Sequence, residues 1–154
     1  MGKIEELAAG NYYLASFGSG GKHCELNLET DDMNAIYLWV LPDRLMLPPS
    51  YLRSHFDAEA GCNRIVTLVG KADGALPIPQ DLRVSRLVSD CSAIHTYVAL
   101  SNAHGVYTFV LDGEMTCEGT TLGRRDSKGV WGIERLTCQT GATRTDVIFV
   151  ETVM

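Results

Sequence analysis

Apolar positions along this chain recur mainly with a period of two. Runs rich in Val, Ile, Thr, Tyr and Phe alternate with clusters of Gly, Asp and Asn, the pattern of short strands and turns. The pattern predicts strands at Tyr12–Phe17, Cys24–Glu29, Ala35–Leu41, Arg64–Val69, Arg83–Val88 and Ile94–Ser101. Further strands are predicted at Val106–Val110, Glu114–Cys117, Thr120–Arg124, Val130–Cys138 and Thr145–Val153. The fold class that follows is all-β: an antiparallel β-sandwich or flattened barrel of about ten short strands with one short helix.

Two segments depart from strand periodicity. Lys3–Ala9 places Ile4, Leu7 and Ala8 on one helical face, so residues 1–10 are expected as an N-terminal arm or short helix. Ser50–Ala60 follows two prolines and ends before Gly61; Ser50 suits an N-cap, and Leu52 and Phe56 share a face four residues apart. A short helix is expected over 50–60. No linker or repeat divides the chain, and a single β domain over 1–154 is expected.

The best-defined unit is a meander. Ile94–Ser101 and Val106–Val110 are expected to pair across Asn102-Ala103-His104-Gly105. A three-residue loop with Gly113 in the left-handed region then continues to Glu114–Cys117. That register puts Ile94, Val98, Leu100, Tyr107, Phe109, Met115 and Cys117 on one core face. The other face carries His95, Tyr97, Ala99, Val106, Thr108 and Val110. It is largely apolar and needs a cover, which points to a neighbouring subunit. Tyr97, Ala99, Val106, Val110 and Trp131 are the expected interface residues. Nine arginines against four lysines agree with subunit contacts.

Composition excludes several functions. The formal net charge of −6 disfavours phosphate backbones, and the only basic cluster, Arg124-Arg125 with Lys128, sits beside Asp126 as a solvated turn. No nucleic-acid partner is expected. No apolar run approaches the roughly 20 residues that span a bilayer, and no signal core opens the chain. Five cysteines without a C-x-x-C spacing predict free thiols in a reducing cytoplasm, or a virion assembled there.

Candidate chemistry is sparse. Gly18-Ser19-Gly20-Gly21-Lys22 lacks the first glycine and the final Ser/Thr of a phosphate loop, and is expected as a hairpin loop. His23 and Cys24 point to opposite faces of a strand. Cys91 and His95 are separated by about 13 Å on an extended strand, too far to share one metal. His95 with Asp112, and His55 with Cys62, are the residual candidates for a polar dyad or a Cys/His nucleophile. Glu114, Glu118 and Glu134 have no special spacing, and Trp39 and Trp131 suit core or interface positions. No catalytic constellation, cofactor or metal is expected. The resulting expectation is a non-enzymatic structural subunit, homo-oligomeric and bound to other assembly proteins, such as a phage capsid-decoration or tail component. The alternative is a small-ligand-binding or hydrolytic β-barrel using His95, Asp112, His55 and Cys62.

Overall fold

A computed structural model describes residues 4–42 and 44–154. The chain divides into two compact units: Tyr13–Leu52, and the remainder up to Tyr12 and from Arg53 onward. Every regular element among the described residues is a strand. The strands are β1 (Asn11–Ser16), β2 (Ser50–His55), β3 (Arg64–Val69), β4 (Leu82–Ser89), β5 (Ile94–Val98), β6 (His104–Asp112), β7 (Met115–Cys117), β8 (Thr120–Leu122), β9 (Ser127–Trp131), β10 (Arg135–Thr140) and β11 (Thr145–Val153).

Nine of these form an antiparallel sandwich. One sheet runs β3-β4-β11-β6-β9 and the other β5-β10-β7-β8, while β1 and β2 form a separate two-stranded sheet. Alternation drives the packing. Thr145, Val147, Phe149 and Glu151 of β11 point inward, as do Val106, Thr108 and Val110 of β6. From the other sheet, Tyr97, Leu136, Cys138, Met115 and Cys117 meet them. The Tyr97 ring stacks on Phe149 with centroids 4.9 Å apart.

The expected all-β sandwich is the observed fold, but the helices are not. Described residues 4–10 hold no helix, only a turn at its end. Residues 50–60 split into strand β2 and a turn. Asp57, not Ser50, organises that turn: its carboxylate accepts from the amides of Glu59 and Ala60, each at 3.0 Å. Gly61 packs there because a Cβ would lie 2.9 Å from the Phe56 ring. The strands expected at Cys24–Glu29 and Ala35–Leu41 do not form.

The meander is also corrected. β5 pairs with β10, with Tyr97 opposite Leu136, while β6 pairs with β11 and β9. The two strands therefore sit in different sheets. Gly113 is left-handed as expected (φ 77°), but its turn carries the chain from one sheet to the other. On β5 and β6 the faces are inverted: Ile94, Val98, Leu100 and Tyr107 are exposed, and His95, Tyr97, Val106, Thr108 and Val110 are buried, whereas Met115 and Cys117 of β7 are buried as expected. Tyr97 with Val106 and Val110 faces this chain's own second sheet, and Ala99 packs at its margin. Trp131, at the end of edge strand β9, is exposed.

Polar side chains close the two open seams of the sandwich. On one side Lys128 Nζ donates to the carbonyls of Cys117 (3.1 Å) and Glu118 (3.2 Å) and to Thr120 Oγ1 (2.7 Å). On the other, Arg83 of β4 donates to Val98 O of β5. Beneath it Glu151, fully buried, accepts from Arg83 Nε at 2.9 Å, Tyr97 Oη at 3.0 Å and Leu100 N at 2.5 Å. A buried carboxylate needs this many donors to offset its desolvation.

Candidate functional site

The Tyr13–Leu52 unit gathers a histidine, a carboxylate and a phenol at one point. Tyr13 is on β1. After it, Gly20 N donates to Phe17 O at 2.9 Å, and the turn reverses the chain. Gly20 has φ 130°, a region that side-chain-bearing residues rarely adopt. The reversal returns His23 and Glu25 to Tyr13. Both side chains reach the Tyr13 hydroxyl.

The three groups are mutually in contact. Tyr13 Oη donates to Glu25 Oε1 at 2.7 Å. His23 Nε2 lies 2.8 Å from Tyr13 Oη and 3.0 Å from Glu25 Oε1. Tyr51 stacks on Tyr13 (5.3 Å between centroids) and holds its ring. Burial, then the bond to Glu25, pushes the Tyr13 phenol above its ordinary range, so it stays protonated. Burial alone would raise Glu25, but hydrogen bonds from Tyr13 and His23 outweigh it and hold the carboxyl below its usual value. The cluster is therefore a neutral donor beside an ionised acceptor, with an imidazole in reach of both.

The residues singled out from the sequence do not converge on a site. His95 is buried opposite Cys138, and its Nε2 has no hydrogen-bond partner. Asp112 is on the other sheet, opposite Asp146 and exposed to Arg124 at 3.4 Å. His55 ends β2, while Cys62 lies in the following turn; no hydrogen bond or ion pair joins them among the described residues. Glu118 Oε1 accepts from Thr137 N at 2.8 Å, a structural bond. The Arg124-Arg125-Asp126 segment is a turn, with Asp126 N donating to Gly123 O. A groove of about 300 Å³ lined by Ile94, Thr116, Glu118 and Thr137 is at the lower bound of the roughly 300–1,000 Å³ of ordinary ligand pockets, and a cleft of about 190 Å³ lined by Thr67, Ser85 and Thr96 is below it.

The signal for the Tyr13 cluster was present in the sequence as His23-x-Glu25. Pairing His23 with Cys24, one residue away, looked at the wrong spacing. Tyr13 carries no local signal, because only the turn brings it back.

The two facing antiparallel sheets make a nine-stranded β-sandwich. The crystal structure of YhhW from Escherichia coli superimposes with a TM-score of 0.65 at 19% identity, covering 74% of this chain and 47% of YhhW. The crystal structure of bacterial pirin YhhW from Escherichia coli in complex with nickel(II) gives 0.66 at 16% identity, covering 75% of this chain and 48% of that one. The chain belongs to the family described as the quercetinase C-terminal cupin domain, whose model matches residues 68–152. A quercetin 2,3-dioxygenase of Escherichia coli K12 is 28% identical over 134 residues, 85% of this chain and 56% of that protein. A pirin-like protein of Caulobacter vibrioides is 30% identical over 133 residues, 84% of this chain and 57% of its own length. The chain thus spans a little over half the length of these relatives. Family membership overturns the expectation of a phage capsid-decoration or tail subunit, and with it a place in a virion; the ligand-binding alternative is the better reading.

Among the described residues no three His, Cys, Asp or Glu side chains gather to hold an ion. Tyr13, kept protonated, hydrogen-bonds to Glu25 Oε1 and lies 2.8 Å from His23 Nε2, and those two atoms are the groups of the cluster that could hold a metal ion. Imidazole with carboxylate suits a first-row transition metal.

Proposed function

We propose that this chain is a small-molecule-binding cupin protein of the pirin and quercetinase kind, acting on a phenolic compound at Tyr13, His23 and Glu25. The convergence of those three side chains carries the reading. His23 Nε2 and Glu25 Oε1 would hold a divalent metal ion, with the protonated Tyr13 hydroxyl beside them. Bound there, such an ion supplies Lewis acidity and an attachment point for a substrate oxygen. Glu25, kept ionised, accepts the proton of a phenolic hydroxyl. Tyr13, kept neutral, donates a hydrogen bond to the oxygen that loses it. Tyr51 holds Tyr13 in place, and the turn at Gly20 sets the reach of His23. Quercetin is the first substrate to test, because relatives carry the name of its 2,3-dioxygenase.

Calorimetric titration with nickel(II) and iron(II) tests the site. The unaltered protein binds, and His23→Ala or Glu25→Gln weakens binding by roughly tenfold or more, as losses near metals do. Oxygen uptake and loss of quercetin absorbance then read turnover. Equal metal affinity in all three proteins, or none in any, refutes the proposal. A cytoplasmic location and self-association through the exposed Trp131 edge are carried forward with it. Sedimentation that gives the monomer mass at every concentration removes the second.

A further inference from the structure

We propose that Cys117 and Cys138 form a reversible disulfide across the β7–β10 ladder when a peroxide oxidises them. This site lies in the sandwich and does not depend on the Tyr13 cluster.

The register carries the argument. Cys138 is directly opposite Cys117. One rung along, Glu118 N donates to Thr137 O at 3.3 Å, and three rungs the other way Gly141 N donates to Glu114 O at 2.8 Å. Hydrogen-bonded and non-hydrogen-bonded rungs alternate in an antiparallel ladder. The Cys117–Cys138 rung is therefore of the non-hydrogen-bonded kind, whose Cα atoms lie about 4.5 Å apart with side chains close together. That separation falls within the roughly 4.4–6.8 Å that a disulfide bridges. Both side chains point to the interior, and both residues are fully buried and reduced.

The surroundings distinguish the two sulfurs. The hydrogen bond from Cys138, followed by the Lys128 ammonium, lowers the Cys117 thiol despite its burial. The same hydrogen bond and burial raise Cys138. The Lys128 ammonium, held 3.1 Å from the Cys117 carbonyl, favours a thiolate at Cys117, which makes Cys117 the nucleophile and Cys138 the resolving thiol. The Cys117 thiolate attacks one peroxide oxygen and the O–O bond breaks, giving a sulfenic acid and one water. The Cys138 sulfur then attacks the Cys117 sulfur, the S–O bond breaks, and a second water leaves with the remaining thiol proton. Two thiols lose two electrons, and one peroxide becomes two waters.

Access comes from the edge. β7 and β8 are three residues each, joined by Glu118-Gly119, both with positive φ. Only three rungs hold β8 to β7, so brief opening admits a molecule as small as hydrogen peroxide.

The test uses a Cys24→Ser, Cys62→Ser, Cys91→Ser background, which leaves only the buried pair. After hydrogen peroxide, denaturation and alkylation, the two thiols should vanish together. The mass should fall by two hydrogens, and dithiothreitol should restore both thiols. In the unsubstituted protein, peptide mapping should find a linked pair containing Cys117 and Cys138. Thiols that remain alkylatable under peroxide that consumes free cysteine overturn the proposal. So does a sulfinic acid on one sulfur without linkage, or linkage only between chains.

Discussion

Glu151→Leu removes the carboxylate at the centre of the Arg83–Tyr97–Glu151 network while keeping apolar volume. Its fully buried oxygens accept from Arg83, from the Tyr97 hydroxyl and from the Leu100 amide. Losing them leaves the Tyr97 O–H and the Leu100 N–H without their acceptor, at about 1–3 kcal/mol for each group that water cannot reach, while the Tyr97 oxygen still accepts from Arg83 Nε at 3.0 Å. Arg83 keeps Val98 O, and its side chain is 20% exposed, so part of its charge finds water. The cost of breaking a buried pair, about 3–5 kcal/mol, is then reached near its lower end. For a chain of this length, about 3 kcal/mol lowers Tm by roughly 6–12 °C. The assay is thermal unfolding of Glu151→Leu, Arg83→Leu and the double variant. Because the second change removes the unpaired cation, the double variant should recover about 1–2 kcal/mol relative to the sum of the singles. A Glu151→Leu protein melting within about 2 °C of the original, or strictly additive losses, refutes this reasoning.

Tyr97→Phe should flatten the alkaline loss of stability. Burial chiefly raises the Tyr97 phenol from 10.0 to about 12, so the folded state holds the proton more tightly than the unfolded one. The contribution is full below pH 10 and is lost as pH rises towards 12, reaching about 2–3 kcal/mol; denaturant unfolding at pH 9 and 11.5 measures it. His95 gives the opposite slope: burial lowers its pKa, so its contribution is present above pH 6.5 and lost as pH falls. His95→Phe should reduce that acid sensitivity in the same assay. Gly113→Ala should cost about 2 kcal/mol or more, because Gly113 has φ 77° and a Cβ would lie 2.5 Å from Arg144 O. Urea unfolding reads the loss, and an unchanged midpoint would refute the steric argument.

The strands most legible in the sequence are those whose own composition decides them. Arg64–Val69 and Thr145–Val153 form at the expected residues. Pairing was less legible, because it depends on partners far along the chain. The adjacent strands β5 and β6 were expected to form a hairpin, but β10 and β11 claim them instead. Apolar residues on both faces of Ile94–Leu100 left periodicity unable to choose, and the polar partners of Tyr97 chose its burial. Its anchor, Glu151, reads as a surface residue until Arg83 is placed beside it. In the other unit, Leu26, Leu28 and Trp39 read as strand residues, yet they are exposed and unladdered. The candidate site was half legible: His23 and Glu25 by spacing, Tyr13 only after folding.

The two cations that close the seams also shape how the protein behaves in a crowd. The sandwich ends laterally in β3, β5, β8 and β9, four strands that each leave one side without a neighbour in their sheet. Such strands are templates on which further chains add. Arg83 already occupies the Val98 carbonyl at the end of β5, so a strand adding there would have to displace a charged donor before it could form its first rungs. Lys128 works one step earlier: by holding the Cys117 and Glu118 carbonyls and the Thr120 hydroxyl it pins the β7–β8 hairpin, and with it the edge strand β8. Neutralising Lys128 should therefore free β8 to fray and shorten the lag before aggregation, making the residue a guard against fibrils as well as a clasp between sheets.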